Sequence, residues 1–139
     1  MTDITVTAAQ VGLVDPIKAK VRSYIAGATI TKGQAVYIDP TTGKVNLADA
    51  NGSGTLQFRG IALNGGAAGQ AIDVCEEGLL YGFTLAGNYD SLVYLSNTAG
   101  ALADAGGGTT VVCGRVAPLA DRSITKVLHV FSRPSADWS

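Results

Sequence analysis

His129 is the only histidine in the chain, so a serine or cysteine nucleophile that needs an imidazole base has one candidate partner. It sits in Lys126-Val127-Leu128-His129-Val130-Phe131, an alternating stretch that puts Leu128 and Val130 inward and His129 outward with Val127 and Phe131. That placement predicts a structural or interface histidine. Ser123-Ile124-Thr125-Lys126 has the S-x-x-K spacing of serine acyl-enzymes, where the lysine helps to deprotonate the serine. Such a serine opens a helix and has companion motifs, and neither accompanies Ser123. A hydrolase using Ser123 or Cys75 with His129 is therefore a weak rival reading. Cys75 and Cys113 have unrelated neighbours, so no CxxC redox pair or zinc site can be built from them. They are predicted to be reduced, inert thiols packed as small hydrophobes.

Other fragments resemble binding sites without completing one. Thr42-Gly43-Lys44 and Gly106-Gly107-Gly108-Thr109-Thr110 share letters with phosphate loops. The G-x-x-x-x-G-K-[ST] spacing is missing, and no helix follows to offer its N-terminus, so both predict hairpin turns. Asp49 and Asp104 stand beside Asn51-Gly52 and Gly106-Gly107, yet one carboxylate per loop falls short of the oxygens that calcium needs. Turn-stabilising aspartates are expected instead. Glu76-Glu77 is the sole acidic pair, and neighbours on a strand face opposite sides, so it cannot act as a carboxylate dyad. No cofactor or metal is implied.

The elements that would hold these residues are strands. The 139 residues include 18 glycines, and short β-branched runs recur between turn-forming clusters with no sustained helical periodicity. Strands are predicted at Lys20 to Ile25, Ala35 to Asp39, Val45 to Leu47, Leu56 to Leu63, Ala71 to Cys75, Gly78 to Leu85, Leu92 to Leu95, Thr110 to Ala117 and Lys126 to Phe131. One all-β domain over 20–131 follows, with 1–19 as an extended N-terminal arm and 132–139 as a tail that carries Trp138. An indole in a tail needs a surface to cover it.

Charged residues are only 15% of the chain and the formal net charge is −1, against about 25% charged in typical soluble domains. No basic patch is present to attract nucleic acid or an anionic membrane. A surface so low in charge suits contact with other protein. The N-terminus shows no basic segment leading into an apolar run, and no run approaches the ~18 residues of a membrane span. The chain is expected to be made in a host cytoplasm and to remain soluble.

One phrase is written twice. Ala35 to Ala50 reads AVYIDPTTGKVNLADA, and Leu92 to Ala105 reads LVYLSNTAGALADA. Val36-Tyr37-Ile38 matches Val93-Tyr94-Leu95, Gly43 matches Gly100, and a gap then aligns Leu47-Ala48-Asp49-Ala50 with Leu102-Ala103-Asp104-Ala105. Gly60-Ile61-Ala62 next faces Gly114-Arg115-Val116. Two copies are too few for a solenoid, so two related halves closing into a small β-barrel are predicted. By alternation Val36, Ile38, Val93 and Leu95 point into the barrel, while Tyr37 and Tyr94 point away.

The ordered phrases Gly27-Ala28-Thr29-Ile30-Thr31-Lys32-Gly33-Gln34-Ala35-Val36-Tyr37, Thr42-Gly43-Lys44-Val45, Gly60-Ile61-Ala62-Leu63, Ala68-Gly69-Gln70-Ala71-Ile72-Asp73-Val74, Leu92-Val93-Tyr94-Leu95-Ser96 and Thr98-Ala99-Gly100 resemble the capsid decoration, or cement, proteins of tailed bacteriophages. The resemblance spans roughly residues 20–131. It implies a β-barrel or β-tulip domain that binds the outside of the expanded phage head as homotrimers, bridging major capsid protein subunits. The virion exterior is then its location, an N-terminal arm reaches a neighbour, and no catalytic motif or cofactor carries over. Tyr37, Tyr94, His129, Phe131 and Trp138 are the candidate protein-contact residues. The alternative is a non-catalytic β-sandwich module for carbohydrate or another ligand, which would group exposed aromatics such as Tyr37, Tyr89, Tyr94 and Trp138 on one face.

Overall fold

The computed structural model describes residues 2–52, 54–119 and 125–132. Its strands are β1 (Thr5–Val6), β2 (Gly12–Leu13), β3 (Lys20–Ile25), β4 (Ala35–Ile38), β5 (Val45–Leu47), β6 (Phe58–Ala62), β7 (Ala71–Tyr81), β8 (Phe83–Thr84), β9 (Leu92–Leu95), β10 (Leu102–Ala103), β11 (Val112–Pro118) and β12 (Lys126–Phe131). One 3₁₀ turn at Ala8–Gln10 is the only helical element among the described residues. The all-β expectation holds. The strand expected at Ala71 to Cys75 runs on unbroken to Tyr81 as β7, because Glu76-Glu77 contains nothing that forces a turn, and the strand expected at Gly78 to Leu85 is instead divided at Gly82 between the end of β7 and the separate β8. The two-residue strands β1, β2 and β10 escape any periodicity, which needs several residues to register.

Hydrogen bonding orders the main sheet β10-β9-β11-β12-β7-β6-β4-β5, and every ladder in it is antiparallel. This order is a palindrome of one four-strand unit. In the first unit Tyr37 pairs with Phe58 and Val36 with Gly60, the ladder skipping Arg59. In the second, Tyr94 pairs with Val112 and Val93 with Gly114, skipping Cys113. The same bulge therefore sits at the same place in each unit. The outer hairpin strands agree as well, since Ile38 pairs with Val45 as Leu95 pairs with Leu102. So do the inner ones, with Ile61 opposite Cys75 as Arg115 is opposite His129. The duplication thus runs on through β7 and β12, beyond the sequence match.

Register corrects one part of that match. The ladders equate Val45 with Leu102 and Asn46 with Ala103, leaving no gap after Gly43 and Gly100. Both of these glycines have positive φ, 71° and 80°. The identical letters of Leu47 to Ala50 and Leu102 to Ala105 are out of structural phase. Hairpin turn geometry sets register, and β10 needs only small or apolar residues to pair, so letter identity was a false guide.

Each unit curls about its own apolar cluster. Beyond Ile25, Ala26 bridges Val45 of β5 and the Gly27 N–H donates to the Val45 carbonyl at 2.8 Å. β3, β7, β6, β4 and β5 therefore encircle Ala26, Ile30, Val36, Val45, Ala62, Ile72 and Val74. In the second unit the outer edge of β10 takes Asp3 as a bridge partner of Ala103, and the Ile4 N–H donates to the Leu102 carbonyl at 2.8 Å. β1 then pairs with β8 and β2 with β7. The segment expected as an arm is extended, but residues 3–13 lie along their own domain, with Val11 buried in the main cluster. No free sheet edge is left at β5 or β10 where these contacts form.

The predicted faces need a second correction. Val93, Leu95 and Leu102 enter the main cluster, whereas their matches Val36 and Val45, with Ile38 beside them, enter the other one. Ala35 and Tyr37 project from the opposite side of β4 onto the main cluster, so Tyr37 does not point away from the body. β4 and β6 are covered on both sides, because Ala35, Tyr37, Phe58 and Ile61 join the main cluster while Val36 and Ala62 join the other.

Candidate functional site

The residues singled out for chemistry have structural occupations. The Cys75 thiol is fully buried and desolvation pushes its pKa up to about 11, while Cys113 is raised well above the ordinary value by burial. Neither offers a thiolate near neutral pH. Lys126 Nζ donates to the Gly87 carbonyl at 2.6 Å and lies 5.4 Å from the Tyr89 ring centroid. Ser123 lies outside the described residues. Asp49 accepts from the Asn51 N–H at 3.0 Å and the Thr55 hydroxyl at 3.2 Å, the turn role expected of it. Asp104 instead accepts from the Thr2 N–H at 2.9 Å and so ties down the N-terminal segment. Among the described residues no three His, Cys, Asp or Glu side chains come together as a metal site. No helix there is long and apolar enough to cross a membrane.

The described candidate contact residues are not all gathered on one surface. His129 and Phe131 share the outward face of β12, with ring centroids 5.7 Å apart and the rings edge to face. Leu128 and Val130 fill the main cluster behind them, as alternation requires. Val127, expected outward, is 1% exposed, so the open part of this face lies beyond it. Tyr37 is half-buried, and its pKa is raised by desolvation and then by Asp39 and Asp49. Tyr94 is half-buried in the equivalent position of the second unit. Trp138 lies outside the described residues.

Sequence reasoning missed a more exposed apolar group. Val21 and Ile25 project from one face of β3 at 39% and 44% exposure, and Ile17 just before them is 93% exposed. Alternation puts Val21 and Ile25 on a common face, but nothing in the strand itself says that this face is left uncovered. Val21 and Ile25, on one strand face, leave an uncovered aliphatic surface of the kind that meets another protein.

A cleft of about 480 Å³ lies where residues 2–5 cross the segment after β8 and the start of β9. Ile4, Leu85, Leu92 and Val116 give it apolar walls, and Asp3 and Asp104 stand at its polar side. Its described lining contains no aromatic ring on which a sugar could stack. The chain matches no protein-family model and shows no significant similarity to a curated protein.

Proposed function

We propose that the chain is a structural virion protein, a capsid decoration protein that binds the outer surface of a tailed-phage head as trimers and ties together major capsid protein subunits. The observation that carries this reading is the ordered set of phrases from Gly27 to Gly100, whose members fall on successive hairpins of one duplicated unit. A low-charge body supports it, as do the exposed aliphatic side chains of Val21 and Ile25 on one face of β3. Many weak apolar contacts of this sort, repeated over a lattice, sum to a large avidity. The role needs no cofactor and no catalytic residue.

Purified protein mixed with undecorated, expanded heads should cosediment with them and add density to their outer surface in electron micrographs. Absence of binding overturns the proposal. A solution mass of one chain, rising to three only on heads, would place trimer formation on the capsid. The rival carbohydrate-binding reading predicts signal on a glycan array, where none is expected.

A further inference from the structure

We propose that the mouth of the first-unit barrel is a binding site for a single carboxylate, with Arg59 as its central donor. Arg59 is the residue that the β4–β6 ladder skips, so its side chain leaves the sheet at the bulge. Its Nε is buried without a hydrogen-bond partner. Around it Lys20, Arg22, Glu76, Glu77 and Ser132 line a pocket of about 200 Å³ at the end of the barrel. Glu76 follows Ile72 and Val74 along the inner face of β7, is 6% exposed, and accepts the Tyr24 hydroxyl at 2.7 Å. Arg22 lies over the Tyr24 ring at 5.2 Å.

The duplicated unit shows that the fold itself does not require these charges. Its second copy builds the same ladders with Cys113 where the first has Arg59, and with Val130 where the first has Glu76, both packed in the main cluster. A buried guanidinium donor left unmatched costs free energy, and an anionic acceptor removes that cost. Charge balance selects the anion. The β3–β7 ladder shifts register between Lys20 and Val21 and skips Glu76, so Glu76 and Glu77 both border the pocket, contrary to the strict alternation expected of them. With Lys20, Arg22 and Arg59 in the same lining, one negative charge neutralises the site, whereas a phosphate dianion exceeds what is needed beside two carboxylates. Size agrees, because the pocket is smaller than the 300–1,000 Å³ typical of whole-ligand sites. The ligand is a carboxylate group, borne by a free small acid or by an acidic side chain of a partner polypeptide. This inference does not rest on the capsid reading.

The test is an NMR titration of the full-length, ¹⁵N-labelled chain, following the Arg59 Nε–H and Tyr24 amide signals. Sodium acetate should shift both saturably, while sodium chloride at matched ionic strength should not. Tighter saturation by N-acetyl-glutamate amide than by acetate assigns the polypeptide source, and equal saturation assigns a free acid. Arg59→Gln should weaken acetate binding at Tyr24 by about tenfold or more, the loss expected for a charge-assisted hydrogen bond. Should Arg59→Gln fail to fold, Arg22→Gln, at an exposed side chain, should weaken it severalfold. Identical shifts in chloride, no saturation, tighter saturation by inorganic phosphate, or unchanged binding in the variant that folds would each overturn the proposal.

Discussion

Glu77 lies directly opposite Phe131 across the β7–β12 ladder, and the same two residues are matched positions of the duplicated unit. A residue that pairs with its own counterpart marks a local two-fold axis. The neighbouring contacts agree, since Gly78 opposite Val130 has its counterpart in the Ser132 N–H that donates to the Glu76 carbonyl at 3.1 Å. The two units therefore meet through equivalent strands in antiparallel pairing, and the sheet continues from one into the other.

This pair is a sensitive point for substitution. Glu77→Phe should place two aromatic rings opposite each other and raise stability by up to about 1 kcal/mol, whereas Phe131→Glu opposes two carboxylates and should lower it by a similar amount. Urea denaturation of both variants beside the parent checks the sign. Equal effects would mean that these side chains do not meet across the axis.

Gly60 and Gly114 occupy the matched position beside each bulge and allow the next strand to approach. A Cβ at Gly60 would stand 2.3 Å from the Cys75 carbonyl oxygen, and one at Gly114 would stand 2.1 Å from that of His129. Both obstacles are backbone, so relief means moving a strand. Gly60→Ala and Gly114→Ala should each lower stability by about 3 kcal/mol, the upper part of the overpacking range. Gly12→Ala, with nothing within 4 Å of the added carbon, should stay within about 0.5 kcal/mol of the parent. Thermal or urea unfolding measures all three.

Those glycines also show where sequence is informative. β3, β5, β9 and β12 have the limits that alternation and turn residues predict. The bulges at Arg59 and Cys113 leave only the following Gly60 and Gly114 as a local trace, since which residue is skipped is defined by the partner strand. Hence the faces of Val36 and Val93 could not be assigned to separate clusters, and Arg59 could not be joined to Glu76. The N-terminal segment was opaque for a related reason. Thr5–Val6 and Gly12–Leu13 are too short to show a period, and only the open edge of β10 and the second half of β7 explain their course.

The two cysteines give the stability a defined pH dependence. Folding raises the Cys75 pKa from 9.0 to about 11 and raises that of Cys113 well above its ordinary value, in both cases through burial. Folded values above unfolded ones mean that this contribution is fully present below about pH 9 and is lost as pH rises through the folded pKa. Stability should fall above pH 9 by at most about 1.4 kcal/mol per pH unit for each thiol, and Cys75→Ala should make the slope shallower. At pH 8 a disulfide reagent should label neither thiol in the native protein and both in denaturant. Fast labelling of the native state would show that the buried positions open.

Removing the N-terminal segment tests whether it serves the barrel before it serves any partner. Asp3 and Ile4 bond to the edge of β10, the Thr7 N–H donates to the Gly82 carbonyl at 2.8 Å, and the Asp3 carboxylate accepts from the Ser96 hydroxyl. A chain beginning at Ala8 keeps Val11 in the main cluster but leaves the Leu102–Ala103 edge unpaired. Open strand edges pair with other chains. The truncated protein should therefore unfold at lower urea concentration than the parent and elute as larger species from a sizing column. Hydrogen exchange at the Asp104 amide, which donates to the Thr2 carbonyl at 3.1 Å, should report the loss directly, with faster exchange there than in the parent. If the truncated chain stays monodisperse and as stable as the parent, residues 2–7 are dispensable to the fold and are free to reach a neighbouring molecule.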